Sequence, residues 1–539
     1  MKFLVTLLMC LASSTGFAQW QWATSTKGVL STAYEMATDP SGNILVTGSF
    51  GDTAILGSYI VQKKDNGSNY DIFLAKLNSQ GNFIWARRVG PNSTTYTNNV
   101  VCDKWGNIYV TGAYSGWGNP DSVGLIPLTT PGVYIAKYDP NGTFIWMKEI
   151  PASNQFHEQK RLAVDTFGNL YYAGSFKDSF TVNNIELFSK GYYDAFLLKL
   201  DTNGDFVWAR SFGGGSDDGA ANIAVDANAD IYLAGYFRDT CYFAGDTIIS
   251  VGAVHGFIAK YDRDGTPLFA RHIPTYGQVF PIAVDAAGSV YVAGKFGIPF
   301  TLDGSTITPV STENIFLARY NSSGVIDWLK VAASSKQPMA LSAIETRNSK
   351  VFVAGRFRDS ATIGTDKLYS TVPTNIFLMK YHNSGNPLWT KTIKSSEYFY
   401  TILHSLATDA YGTLYAGGTF AGHCFFDNIH IQADSNEVIK AFVAKLHAFT
   451  SVDAVKQDGN TITAYPNPSD GSITLDLNGD DYNRVEVFNM MGVRMFKQSI
   501  VNKTQKLELD LSHLPSGSYY LKALGNHRQS DVVKILLTL

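Results

Sequence analysis

One segment of this chain returns seven times, and that return constrains the fold more than any other feature. The stretch Ala163-Val-Asp-Thr-Phe-Gly-Asn-Leu-Tyr-Tyr-Ala-Gly-Ser-Phe176 has relatives beginning at Ala37, Val101, Ala224, Ala283, Ala343 and Ala407. Their shared glycine stands at Gly48, Gly112, Gly174, Gly235, Gly294, Gly355 and Gly418, with spacings of 64, 62, 61, 59, 61 and 63 residues. Each unit holds a second signature, as in Asp194-Ala-Phe-Leu-Leu-Lys-Leu-Asp-Thr-Asn-Gly204 followed by the Trp208 segment. A fixed period of this length means one supersecondary unit repeated, each copy burying its apolar face on the next.

Read as secondary structure, a unit predicts four strands. The first is the Gly174 type, and the second is weak, as at Cys241–Ser250 or Thr301–Pro309. The third is the Phe-Leu-Leu-Lys-Leu type, and the fourth carries the tryptophan. Asp165-Thr-Phe-Gly168 and Asp201-Thr-Asn-Gly204 are turn signals between them. The fourth-strand aromatic recurs at Trp22, Trp85, Trp146, Trp208, Phe269, Trp328 and Trp389, so it precedes the first Gly strand and is missing from the last unit. A closed ring explains the displacement, because Gln19–Thr26 can pair beside Lys440–Leu446 and leave no free edge. The expected fold is all-β: a seven-bladed β-propeller, four strands per blade, with the N-terminal strand closing the last blade.

The ends of the chain carry an address. Met1-Lys2, the apolar run Phe3–Leu11 and the small residues up to Ala18 have the layout of a signal peptide, with cleavage expected after Ala18. No later run is long and apolar enough for a membrane helix. With 43 basic against 46 acidic side chains, the net charge of −3 gives no electrostatic case for nucleic-acid binding. Cleavage leaves Cys102, Cys241 and Cys424, an odd number without a CxxC pair, so neither a disulfide framework nor a zinc site is expected.

The stretch Phe212-Gly-Gly-Gly-Ser-Asp-Asp-Gly-Ala-Ala-Asn-Ile-Ala-Val-Asp226, continuing to Ile231-Tyr-Leu-Ala-Gly235 and Phe257-Ile-Ala-Lys-Tyr-Asp262, resembles the SBBP propeller repeats of secreted and surface bacterial proteins. The resemblance covers about residues 19–447 and speaks for fold rather than function, since propellers host unrelated activities. The Trp strand and the weak turn at Asn348-Ser349 depart from that family's pattern. The spacing from Asp201 to Trp208 is also similar to quinoprotein propeller repeats, but the period is too long and no adjacent Cys pair accompanies it.

After a polar connector at 448–460, alternating strands at Val485–Phe488, Met495–Ile500, Lys506–Leu511, Ser518–Ala523 and Val532–Leu537 predict a small Ig-like β-sandwich over 461–539. Tyr465, Pro466, Asn467 and Pro468 with Gly471, then Gly492, Leu514, Gly517, Tyr519 and Lys534, resemble the C-terminal sorting domain of the type IX secretion system of Bacteroidetes-type bacteria. That resemblance implies recognition by the outer-membrane translocon, and a protein that is released or attached to the outer-membrane surface.

Chemistry is harder to find. Asp201-Thr-Asn203-Gly-Asp205 imitates a calcium loop, yet Phe212 stands where the bidentate Glu belongs, so turn capping is the expected role and no metal or other cofactor is expected. The histidines show no ligand spacing, and a GxSxG elbow is absent. Asp217 and Asp218 read as a solvated loop. Trp105, Trp117, Tyr276 and Tyr398 are the expected ligand-binding aromatics. The reading is a non-enzymatic binding or adhesion module for protein or glycan. An extracellular enzyme with its site in the central channel, and a structural surface component, are the alternatives.

Overall fold

A computed structural model describes residues 19–447 and 462–538, apart from 29, 64–69, 91–93, 115–131, 152–160, 244, 276–278, 303, 312–313, 335–338, 364–365, 371, 373–374, 397–400, 434–438, 468, 478–481, 490–493, 501–505 and 526–532. The signal segment and the connector lie outside these. The chain divides into two compact units that part after Ala448.

The first unit is a β-propeller-type array of antiparallel sheets, each built on four strands in sequence order except the last, whose outer strand comes from the N-terminus. In the third sheet these are Arg161–Val164, Leu170–Phe176, Asp194–Leu200 and Phe206–Phe212. The middle two are buried at every residue, while the outer strand mixes buried and exposed positions. This is why the middle strands read as continuous apolar runs and the edge carries polar residues.

The strand order differs from the sequence expectation in one respect. The residues ahead of the Asp-x-x-Gly turn form a strand of their own, innermost in each sheet, and the Gly strand comes second. This inner strand is rich in small and polar residues, as in Ser31–Thr38 and Gly219–Val225, so it lacks the apolar alternation that marks a half-buried strand. The weak segments instead fold back on themselves. Ser179–Val182 pairs with Ile185–Phe188 across Asn183 and Asn184, whose φ values of 45° and 63° fit a two-residue hairpin turn. Equivalent hairpins extend the fifth and sixth sheets to six strands.

Each first strand touches the first strands of the sheets on either side, and Thr401–Thr408 touches Ser31–Thr38, so the contacts run in a cycle. The N-terminal strand Gln19–Ser25 pairs antiparallel with Ile439–His447, from Gln19 opposite His447 to Ser25 opposite Phe442, and completes the last sheet.

Neighbouring sheets are joined by the outer-strand aromatics. The Trp146 ring lies on Gly204 of the next sheet, where a Cβ would fall 2.8 Å from the ring. Gly204 also has φ +81°, so the turn and the contact both demand glycine. The same pairing joins Trp85 to Gly142, Trp208 to Gly265, Phe269 to Gly324 and Trp328 to Gly385. Trp22 repeats it on Gly81, and its indole N–H donates to the Ser79 carbonyl at 3.1 Å. Lys445 reaches the same carbonyl at 3.0 Å, so the device that joins consecutive sheets also joins the last to the first.

The second unit has one sheet of Thr463–Tyr465, Ser472–Asp476 and Lys506–Asp510, and another ordered Arg494–Ser499, Arg484–Asn489, Gly517–Leu524, Val533–Leu537. Ile473 and Leu475 of the first share one apolar cluster with Val485, Leu521 and Ile535 of the second.

Candidate functional site

The inner strands enclose a cavity of about 370 Å³ walled by Glu35, Asn99, Asn222, Glu345, Arg347 and His404 among others. Glu35 is ion-paired with Arg161 and accepts a hydrogen bond from the Ser405 hydroxyl. Glu345 accepts one from Thr408 at 2.7 Å. Burial raises the Glu345 carboxyl to about 7; Thr408 and the charge of Arg347 pull it down, and Glu35 pushes it up. Part of the residue stays reachable by solvent, so the environment is a narrow channel rather than a sealed core. Burial also lowers the His404 imidazole to about 4, helped by Arg356 and Arg161.

A stability consequence follows from Glu345. The folded chain holds this proton up to about pH 7, whereas an unfolded glutamate releases it near 4.5. The folded state therefore binds more protons between those values, and the carboxyl's contribution is lost as pH rises through the interval. We expect E345Q to be more stable than the parent above pH 7 and to converge with it below about 4.5, measured by thermal unfolding across pH. An offset that does not vary with pH would contradict the assigned proton affinity.

The second hollow, about 520 Å³, opens among the turns that link first to second strands. Thr166, Asp226, Ala227, Asp285, Ala287, Asn348 and Arg347 line it. Its carboxylates are committed internally: Asp226 Oδ1 accepts the N–H groups of Asn228 and Asp230, and Oδ2 accepts the Tyr232 hydroxyl. Asp285 repeats this with Ala287, Ser289 and Tyr291. Asn348 and Ser349, left-handed at φ 50° and 59°, make a tighter turn than the Asp-x-x-Gly type. The weak turn of the sequence is thus a two-residue hairpin.

Aromatic side chains stand at the third position of three of these turns. Trp105 is 54% exposed, Phe167 53% and Tyr411 87%. Phe167 follows Thr166 of the hollow's lining, and Gly412, next to Tyr411, lies against the Asn348 side chain. Trp105 leans across Gly168, the turn glycine beside Phe167, with Lys104 4.6 Å above its ring. Of the four aromatics expected to bind, Trp105 is on this face, while Trp117, Tyr276 and Tyr398 lie outside the described residues. Phe167 and Tyr411 were missed, although aligning the Asp-x-x-Gly turns puts them in register with Trp105.

Asp218 departs from the solvated loop expected of it, being 0% exposed. It accepts the Gly214 N–H at 2.6 Å and the Arg238 N–H at 3.3 Å. Burial raises its carboxyl to about 7 against those two bonds, with Asp194 and Asp217 adding to the rise. Asp201 caps its turn as expected, its Oδ1 accepting from Asn203 and Asp205 at 2.8 and 2.9 Å. Burial raises all three thiols, Cys102 to about 12.

In the second unit, Asn467 accepts the Leu536 N–H at 2.8 Å and Ser469 bonds Leu536 and Thr538 through its backbone, so the Pro-Asn motif is stitched to the last strand. Gly471 accepts the Leu511 N–H at 2.7 Å, and Leu514 and Tyr519 are buried in the shared core. Tyr465, 42% exposed, precedes a cis bond to Pro466. Gly517 opens the Gly517–Leu524 strand, and Lys534 pairs by its backbone with Tyr520. Pro468 and Gly492 lie outside the described residues. Among those described, no helix is long and apolar enough to cross a membrane.

Comparison with known proteins agrees with both units. Residues 463–538 match the model of a secretion system C-terminal sorting domain, and residues 84–113 match that of the SBBP β-propeller repeat. An uncharacterised WD repeat-containing protein of Acanthamoeba polyphaga mimivirus is 25% identical over 358 residues, 53% of this chain, which spans about a quarter (25%) of that relative's length. Among solved structures, the quinohemoprotein alcohol dehydrogenase of Comamonas testosteroni is 12% identical, covering 79% of this chain and 76% of its own, at a TM-score of 0.38. The Pan2 WD40 domain of Neurospora crassa is 8% identical, with coverages of 76% and 88% and a TM-score of 0.39. The chain therefore carries SBBP-type β-propeller repeats and, behind them, a Por-type sorting domain that marks it for export by the type IX secretion system.

Proposed function

We propose that this is a secreted or cell-surface binding protein whose turn face takes a glycan. The body is a closed seven-bladed propeller over 19–447, released from a signal peptide at 1–18. A linker at 448–460 joins it to an Ig-like sorting sandwich at 461–539, which the translocon reads through Tyr465, Pro466, Asn467, Pro468, Gly471, Gly492, Leu514, Gly517, Tyr519 and Lys534. The cycle of first-strand contacts and the shared Ser79 carbonyl support the closure.

The observation that carries the binding reading is the trio Trp105, Phe167 and Tyr411, held on Asp-capped turns beside an open hollow of mixed polar and apolar lining. Isolated rings separated by polar turns suit the apolar faces and hydroxyls of sugars better than a continuous protein interface would. The test is a glycan array with the mature chain, followed by the F167A/Y411A variant. We expect the hit to weaken roughly tenfold or more, about 1.4 kcal/mol. Unchanged affinity would move the site off this face.

An enzymatic reading has one specific support, the channel carboxyl Glu345 poised near 7. Hydrolysis of a bound glycan by the parent but not by E345Q would favour it.

A further inference from the structure

Four histidines form two cross-strand pairs of the same geometry. His255 Nδ1 lies 2.6 Å from His272 Nε2, and His423 Nδ1 lies 2.8 Å from His430 Nε2. The rings of each pair are nearly parallel, at 14° and 16°. Their surroundings differ. The first pair packs against Phe237 in the fourth sheet, and burial lowers the His272 imidazole to about 4, with His255 adding to the fall. The second sits on the hairpin His423–Phe426/Ile429–Gln432 at the rim of the sixth sheet, open to solvent.

We propose that His423 and His430 chelate a divalent transition-metal ion of tetragonal preference, Cu²⁺ or Ni²⁺. Two imidazole nitrogens bound at right angles to one ion, as in tetragonal Cu²⁺ and Ni²⁺ sites, at about 2.0–2.1 Å each lie about 2.9 Å apart, close to the separation already present. The proton now shared between Nδ1 and Nε2 must leave that line. A tautomer shift moves it to the outer nitrogen of the donor ring and frees both facing lone pairs. Phe425 stacks on His430 at 4.7 Å and 13°, which fixes the ring plane before an ion arrives. The hairpin itself is pinned where Lys394 and Ser395 pair with Phe425 and Cys424.

No group of three His, Cys, Asp or Glu side chains converges among the described residues, so water or an incoming ligand fills the remaining positions. Such an open site resembles a docking point for an ion shared with a ligand more than a closed structural site. The first pair is the internal control, since His255 is buried and burial lowers the proton affinity of both its rings.

The experiment is calorimetric titration of the untagged mature chain with NiCl₂ and CuCl₂ at neutral pH, with Cu²⁺ EPR to count coupled nitrogens. We expect one saturable ion per chain, two equivalent imidazole nitrogens in the EPR signal, and loss of binding on acidification as protons compete. H423Q and H430Q should each weaken it at least tenfold, since even outer-shell losses at metal sites cost about that much. H272Q should leave it unchanged. Absence of saturable binding by the parent, or equal binding by H423Q and H430Q, overturns the assignment.

Discussion

A chain starting after Ser25 is expected to lose its cooperative unfolding transition or to unfold far below the parent. The seven residues Gln19–Ser25 form the outer strand of the last sheet, and the strand they pair with belongs to the far end of the chain. Trp20 is buried beside Phe426, edge to face at 5.1 Å, within the cluster that holds Leu406, Phe442 and Leu446. Trp22 caps Gly81 and donates to Ser79. Truncating one buried tryptophan costs about 3–5 kcal/mol, and the whole stability of a domain is typically about 5–15. Losing both also strips Ile439–His447 of its partner and leaves an apolar edge open to other copies. Calorimetry and light scattering of the truncated chain would read both effects. The decisive companion is a rearranged chain that carries Gln19–Ser25 on a short linker after His447. Recovery there shows that the strand acts by position in the ring; an unshifted transition in the simple truncation would sink the closure.

The same comparison shows which parts of the molecule were readable from sequence. The two middle strands and the Trp strand announce themselves because each repeats one burial environment seven times, so Gly174, Leu197 and Trp208 recur at equivalent positions. The innermost strand did not, because small and polar residues such as those of Ser31–Thr38 and Gly219–Val225 give it no apolar period. Asp218 was misread for a related reason. A pair of acids after Gly213-Gly214-Gly215 looks like a solvated loop, yet the Gly214 N–H and, from the neighbouring strand, the Arg238 N–H both fall on the Asp218 carboxylate. The channel was invisible for a different cause. Glu35, Arg161, Glu345 and His404 come from four different units; Glu35 and Arg161 share a repeat position with opposite charges, Glu345 and His404 stand elsewhere in theirs, and only the ring brings them together. On the turn face the signal was present but hidden by variability: Phe167 and Tyr411 occupy the position of Trp105, while Asn228 and Ala287 fill it elsewhere.

Removing Ser451–Leu539 should abolish export while leaving a folded propeller inside the cell envelope. The sorting domain is a separate compact unit with its own core, so its loss takes no strand from the ring. Fractionation should find the truncated chain in the periplasm, protease-resistant, and missing from both the surface and the medium. A graded series tests whether the folded motif, rather than the mere presence of the segment, is what the translocon reads. Gly471 has φ +113°, and a Cβ there would lie 2.6 Å from the Ser512 Cα and 2.8 Å from its nitrogen, both backbone atoms that cannot step aside. G471V must therefore push the motif off the Leu511–Leu514 turn and break the bond from Leu511. N467A removes the cap on Leu536, worth about 1 kcal/mol, and leaves the strand pairing around it. Export is expected to fall in the order N467A, G471V, deletion, with the last near zero. Normal surface delivery of the deleted chain would refute the role of this unit. Normal delivery of G471V beside a trapped deletion would instead place recognition on the terminal strand Val533–Leu537 rather than on the motif packed against it.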